Sequence, residues 1–194
     1  MKKIISFLFA AALLVGAAPV TQAQNNTPLT AKQAEANQLL QRIVGNWQVS
    51  RYEKQHNSKE LKLAKGNTKF TKGLEGDYVH ELSKIKNTDG SSVEGESFIR
   101  YSETMKRYEH VQVDKNGKSI VVMVGKWSPK YNALTFRPLT GEGQWSSKVD
   151  PNMQCVYLFK DDGSFIRVTR TLDQQGNFTI LSQDHYSNSS VASL

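Results

Sequence analysis

From Trp47 to Tyr186 the chain is a succession of short runs rich in apolar and β-branched residues, each ended by a turn signal. That cadence constrains the fold more than any other feature. The runs cover 47–53, 61–70, 78–85, 97–101, 108–113, 119–127, 133–138, 153–160, 164–172 and 178–186. Turns between them carry Asp89-Gly90, Asn116-Gly117, Asp162-Gly163 and Gln175-Gly176. Such pairs reach the positive φ angles of tight hairpins with little strain. Strands at this spacing argue for an antiparallel sandwich or barrel. No helical stretch alternates with them, which argues against a parallel sheet. A meander in one domain closes most simply as a barrel, because closure removes the unpaired edges. The expected fold is therefore all-β: a single antiparallel up-and-down barrel of about 8–10 strands.

One helix precedes the strands. Thr30-Ala31-Lys32-Gln33 fits a capping box, with Thr30 as N-cap and Gln33 reaching back. Ala34, Leu39, Leu40, Ile43 and Val44 recur at roughly helical spacing, so a helix is expected over 31–43. Gly45 is expected to end it in a left-handed conformation.

Residues 1–23 read as an export signal. Met1-Lys2-Lys3 is a short positive start, residues 4–18 are almost wholly apolar, and Thr21-Gln22-Ala23 places small residues before a cut at Gln24. The apolar run is too short for a membrane span of roughly 20 residues. The expected organisation is a signal peptide (1–23), a flexible mature N-terminus (24–30), the barrel domain (31–186) and a frayed tail (187–194). The expected destination is the periplasm or the secreted fraction.

Charge excludes some partners. The chain has 25 Lys+Arg against 18 Asp+Glu, a net charge of +7, and cleavage removes Lys2 and Lys3. The basic residues are scattered among acidic ones, which argues against a nucleic-acid binder. No second long apolar run follows the signal, so no membrane span is expected in the mature chain. The single cysteine, Cys155, rules out a disulfide scaffold and multi-cysteine metal sites. Its apolar surroundings point to a buried, inert thiol.

A helix followed by Gly45-Asn46-Trp47 at the start of the first strand, and then a meander, resembles the lipocalin and calycin-type barrels. The resemblance implies that Trp47 plugs one end of the barrel and that an arginine from a late strand packs across it. Alternation puts Arg170 on one face with Ile166, Val168 and Leu172, which makes it the candidate, with Arg167 as the fallback if a bulge swaps the faces. Further blocks resemble one family of exported bacterial proteins, domain of unknown function 1579. They are Leu39-Leu40 before Val44-Gly45-Asn46-Trp47, the stretch 73–81, Glu94-Gly95-Glu96-Ser97-Phe98-Ile99-Arg100-Tyr101 with Met105-Lys106-Arg107-Tyr108, and Gly125-Lys126-Trp127-Ser128 with Leu134-Thr135-Phe136. The similarity covers 38–186 and implies a fold rather than a chemistry.

Function in such a barrel rests on what faces inward. The apolar interior candidates are Trp47, Val49, Tyr78, Leu82, Phe98, Val122, Val124, Leu134, Phe136, Tyr157, Phe159, Val168 and Ile180, with Trp127 near a rim. Polar residues in phase with them are more telling, since an unpaired buried polar group costs roughly 1–3 kcal/mol. Tyr78, His80 and Leu82 alternate together, as do Tyr108, His110 and Gln112. The ligand-contacting set is therefore Tyr78, His80, His110, Phe136, Tyr157 and Arg170; the barrel plug is Gly45, Trp47 and Arg170.

No cofactor or metal pattern is present: there is no His-Glu-x-x-His, no phosphate loop and no nucleophile elbow. The neighbours His80-Glu81, Glu109-His110 and Asp184-His185 are not acid–base pairs, because adjacent strand residues face opposite ways. The reading is a barrel that binds a small apolar or amphipathic molecule. One alternative is a closed structural or protein-interaction module of the cell envelope. A second is an enzyme whose residues assemble across strands at the barrel mouth.

Overall fold

Thr30 Oγ1 accepts a hydrogen bond from the Gln33 amide at 3.1 Å and so starts helix α1, Ala31–Gln41. Only this half of the capping box forms, for Gln33 donates its side-chain amide to Asn37 instead of reaching back. The helix stops at Gln41, short of the expected end. Gly45 does not cap it but opens the first strand with a φ of 147°, a conformation L side chains rarely adopt. The computed structural model describes residues 30–54, 61–73, 77–87, 89–114, 116, 119–139 and 149–188. The expected signal peptide, the flexible start as far as Leu29, and Trp145, expected with Trp127 near a rim, lie outside these residues, as does most of the expected tail.

Ten strands follow: β1 (Gly45–Lys54), β2 (Leu61–Lys72), β3 (Tyr78–Lys86), β4 (Ser92–Ser102), β5 (Arg107–Val113), β6 (Ser119–Ser128), β7 (Ala133–Pro138), β8 (Met153–Phe159), β9 (Phe165–Leu172) and β10 (Phe178–Asn188). Each pairs antiparallel with its sequence neighbour, and β10 returns to β1 from Trp47↔Asn188 to Glu53↔Ser182. The result is a closed up-and-down barrel, as the cadence of turns predicts. Its hairpins use the expected chemistry. At Asp162-Gly163, Gly163 takes a φ of 82° and the Asp162 carboxylate accepts from the Ser164 amide at 2.8 Å.

Pairing fixes which side chains face inward. Trp47, Val49 and Arg51 of β1 share the inner face with Tyr186 and Asp184 of β10. From there the register carries Phe165, Arg167 and Thr169 of β9 inward, with Cys155 and Tyr157 of β8, Phe136 of β7, Met123 of β6, His110 of β5, Ile99 and Ser97 of β4, and Val79 and Glu81 of β3. The end beside α1 is packed solid. Ala36, Leu39, Leu40 and Ile43 join one core with Trp47, Tyr101, Tyr108, Phe159 and Phe165. Gly125 makes room there, since a Cβ on it would lie 2.6 Å from the Phe136 ring.

Several expected interior residues face outward instead: Tyr78, Leu82, Phe98, Val122, Val124, Val168 and Ile180. Leu82 is 49% exposed. The reason is that both faces of these strands are apolar enough to pass for a core. On β9, Val168 sits in an outer cluster with Ala133 and Val156, flanked by Leu158, Ile166 and Ile180. This second apolar face inverts the alternation argument and takes Arg170 outside with it. The fallback, Arg167, is the inward arginine, and the register shift lies in β10, between Ile180 and Ser182.

Candidate functional site

Four charged side chains meet inside the barrel, about midway along it. Arg167 of β9 is the centre. Its Nη1 donates to Glu81 Oε1 at 2.7 Å and Oε2 at 2.9 Å, reaching across the lumen to β3. Its Nε and Nη2 donate to Asp184 Oδ2 at 3.1 and 2.8 Å. Arg51 of β1 grips the same carboxylate from the other side, Nε to Oδ1 at 2.6 Å and Nη2 to Oδ2 at 2.9 Å. Ser97 Oγ donates to Glu81 Oε2 at 2.7 Å. Two guanidiniums and two carboxylates balance, and all four carboxylate oxygens already accept. Such charges are tolerated inside a protein only when paired this completely.

Burial alone would disfavour every charge in this lattice. It pushes the Asp184 carboxyl up, but the hydrogen bond from Arg51 and the charges of Arg167 and Arg51 win, and its pKa lies below the ordinary carboxylate value. Burial likewise works against Arg167 and Arg51, and the carboxylates, Glu81 foremost for Arg167 and Asp184 for Arg51, keep both firmly protonated.

The lattice divides the lumen. On the α1 side the barrel is filled by Phe70, Ile99, Phe136, Tyr157, Phe165 and Tyr186, with His110 fully buried among them. Arg167 lies over the rings of Tyr157 and Tyr186, at 6.0 and 5.5 Å from their centroids. Among the described residues neither ring nitrogen of His110 has a hydrogen-bond partner, nor does the Tyr186 hydroxyl. Burial pulls the His110 pKa down to about 4, Glu81 opposing and Arg167 reinforcing it, so the imidazole is neutral at pH 7. Burial also raises the Cys155 thiol to about 12, which leaves it without nucleophilic character at neutral pH.

On the other side of the lattice the lumen is open. A cavity of about 370 Å³ has Arg51, Glu81, Ser97, Arg167 and Asp184 as its floor. Ile85, Val93, Met123 and Met153 supply apolar wall, and Gln112 and Thr169 supply polar wall. The Gln112 and Thr169 side chains have no hydrogen-bond partner among the described residues, and Arg51 Nη1 has only Glu53, at 3.8 Å. This is a mixed surface with a few convergent polar groups, which suits a small amphipathic molecule. A larger hollow of about 780 Å³ lies against the outer faces of β1–β4, but its charged groups include the solvent-exposed Lys84–Glu94 pair.

None of the six residues expected to touch a ligand lines this cavity. His110, Phe136 and Tyr157 face inward but lie beneath the floor. His80 is on the outer wall, its Nε2 2.8 Å from Glu96 and its ring stacked on Phe98 at 4.6 Å. Tyr78 is beside it, packed on Phe98. Arg170 is outside, donating to Gln154 Oε1 at 2.9 Å. The plug is corrected in the same way. Trp47 does close the α1 end, donating Nε1 to the Ile43 carbonyl at 2.8 Å, but Phe165 packs on it edge-on at 4.9 Å where an arginine was expected. Trp127 is half-buried against Phe159 at that end.

The lattice itself escaped the sequence reading, although a signal was present. Arg51 is in phase with Trp47 and Val49, Glu81 with Val79 and Ile85, and Asp184 with Tyr186. Charged residues on the core parity of three strands of both signs are the mark of an internal ion network. The judgement that adjacent residues diverge does hold: Glu81 and Asp184 face in while His80 and His185 face out, and His110 faces in while Glu109 faces out. Among the described residues no group of three His, Cys, Asp or Glu is close enough to hold a metal.

A family model described as a protein of unknown function (DUF1579) matches residues 32–187. No curated protein matches the chain.

Proposed function

The chain belongs to the DUF1579 family, and within that frame we propose that it is an exported barrel that carries a small amphipathic molecule in the open half of its lumen. The observation that carries this reading is the cavity of about 370 Å³, with a charged floor and unpartnered Gln112 and Thr169 beside apolar walls. A polar head would accept from Arg51 Nη1 and exchange hydrogen bonds with Gln112 and Thr169. An apolar portion would lie against Ile85, Val93, Met123 and Met153, gaining ~25 cal/mol per Å² buried. Export rests on the pattern of residues 1–23.

An enzymatic reading has less support. Both carboxylates are saturated by guanidiniums, so neither is a free base, and the one thiol is protonated. Titration with an uncharged fluorescent amphiphile tests the proposal. Wild type takes up one equivalent, and Thr169→Trp, which fills the cavity from β9, takes up at least tenfold less at equal concentration. Equal uptake by both proteins places the binding elsewhere and overturns it.

A further inference from the structure

The back of the cavity wall carries a third hollow. A groove of about 770 Å³ crosses the outer faces of β6 to β9 and ends at the start of β10. Register places Lys126, Arg137, Gln154, Arg170 and Phe178 on that face. No Asp or Glu lines the groove among the described residues. Two carboxylates of the described residues border it, and both are already engaged. Glu109, beside Val124, is held by Arg100 and Arg107, and Asp173, at the β9–β10 turn, accepts from Asn177. Lys126 and Arg137 are exposed and make no ion pair among the described residues.

Arg170 is held in place rather than left loose. Gln154, only 3% exposed, accepts from its Nε, and the guanidinium lies 4.6 Å over the ring of Phe178, itself 56% exposed. Three like charges face one groove with no ion-pair partner among the described residues, an arrangement that an arriving anion would relieve. The same outer wall bears the apolar cluster around Val156 and Val168, and Leu181 stands 42% exposed at the β10 bulge. That cluster is itself buried, so the exposed apolar groups beside the cations are Phe178 and Leu181. Cations beside exposed aromatic and aliphatic side chains suit the interface of an anionic bilayer.

We infer that this face docks the barrel on a membrane containing anionic lipids. Lipid phosphates occupy the groove between Lys126, Arg137 and Arg170, and Phe178 and Leu181 enter the boundary between headgroups and acyl chains. Arg170 and Gln154 flank Thr169 and Cys155 in sequence, which line the cavity from the other side of the same strands, so docking holds the open half of the lumen close to the lipid surface.

Vesicle co-sedimentation tests this with the mature chain. Vesicles of phosphatidylcholine containing a third phosphatidylglycerol should pellet the wild type, and pure phosphatidylcholine should not. Lys126→Glu/Arg137→Glu should lower partitioning on the order of 100-fold. Lys65→Glu/Lys86→Glu, an equal charge change across β2 and β3 on the far wall, should stay near wild type. Phe178→Ser should leave binding that moderate salt abolishes. All these side chains are outward-facing, and circular dichroism confirms that each variant folds. Equal losses in the two double variants would mean that net charge alone drives binding and would overturn the inference. So would wild-type protein that ignores the anionic vesicles, including protein that takes up glycerol phosphate in solution without sedimenting.

Discussion

Arg167 decides the interior more than any other residue. Among the described residues it is the one side chain that touches both carboxylates, and it ties β9 to β3 across the lumen. Arg167→Ala leaves Glu81 buried with only Ser97, and removes half the support of Asp184. The expected loss is about 3–5 kcal/mol, read from the midpoint of urea unfolding. His110 sets the acid behaviour. Its folded pKa, about 4, is below the ordinary value of about 6.5, so the unfolded chain takes up the proton first. Its contribution is complete above pH 6.5 and is lost as pH falls to about 4, on the order of 3 kcal/mol in all. His110→Phe should flatten stability across that window, leaving a smaller slope from His185, whose pKa burial and Lys160 also lower. The loss from Asp184 comes at lower pH: its depressed pKa makes stability fall as pH drops from about 4. An unchanged slope in the His110→Phe variant would contradict the account of that residue.

At the scale of the element, strands and turns were legible because they obey local rules. Hairpins need residues that tolerate positive φ, and alternation marks a strand wherever one face is wet. Faces were not legible on β3 and β9, because alternation identifies a face only when the other is polar. Tyr78, His80 and Leu82 look more like a core than Val79, Glu81 and Ser83, yet the second set faces in. Glu81 is stable there only because Arg167 arrives from a strand 86 residues away, and no local rule contains that fact. The helix was legible through its cap: Thr30→Ala should cost about 1 kcal/mol of stability. Gly125 was quoted only as part of a motif, but β6 and β7 approach so closely that Gly125→Ala should cost about 1–3 kcal/mol through collision with Phe136. Thermal unfolding of the two variants reads both values.

For the whole molecule, closure of β1 on β10 leaves no free sheet edge among the described strands, and α1 with Trp47 seals one end. Filling then stops at the charge lattice. An apolar core could have continued to the mouth with less electrostatic cost, so the lattice is where the interior changes from packing to a polar floor. The site was half legible: the inward phase of His110 and Tyr157 was correct, but their depth was not, because depth depends on where distant strands bring opposite charges together. The central claim is that the space above this floor holds a small molecule. Native mass spectrometry of the chain purified from its own host tests it most directly. The account predicts one equivalent of a small amphipathic molecule on the wild type, absent from Thr169→Trp. A bare chain mass, with no uptake of an uncharged amphiphile added afterwards, would contradict it.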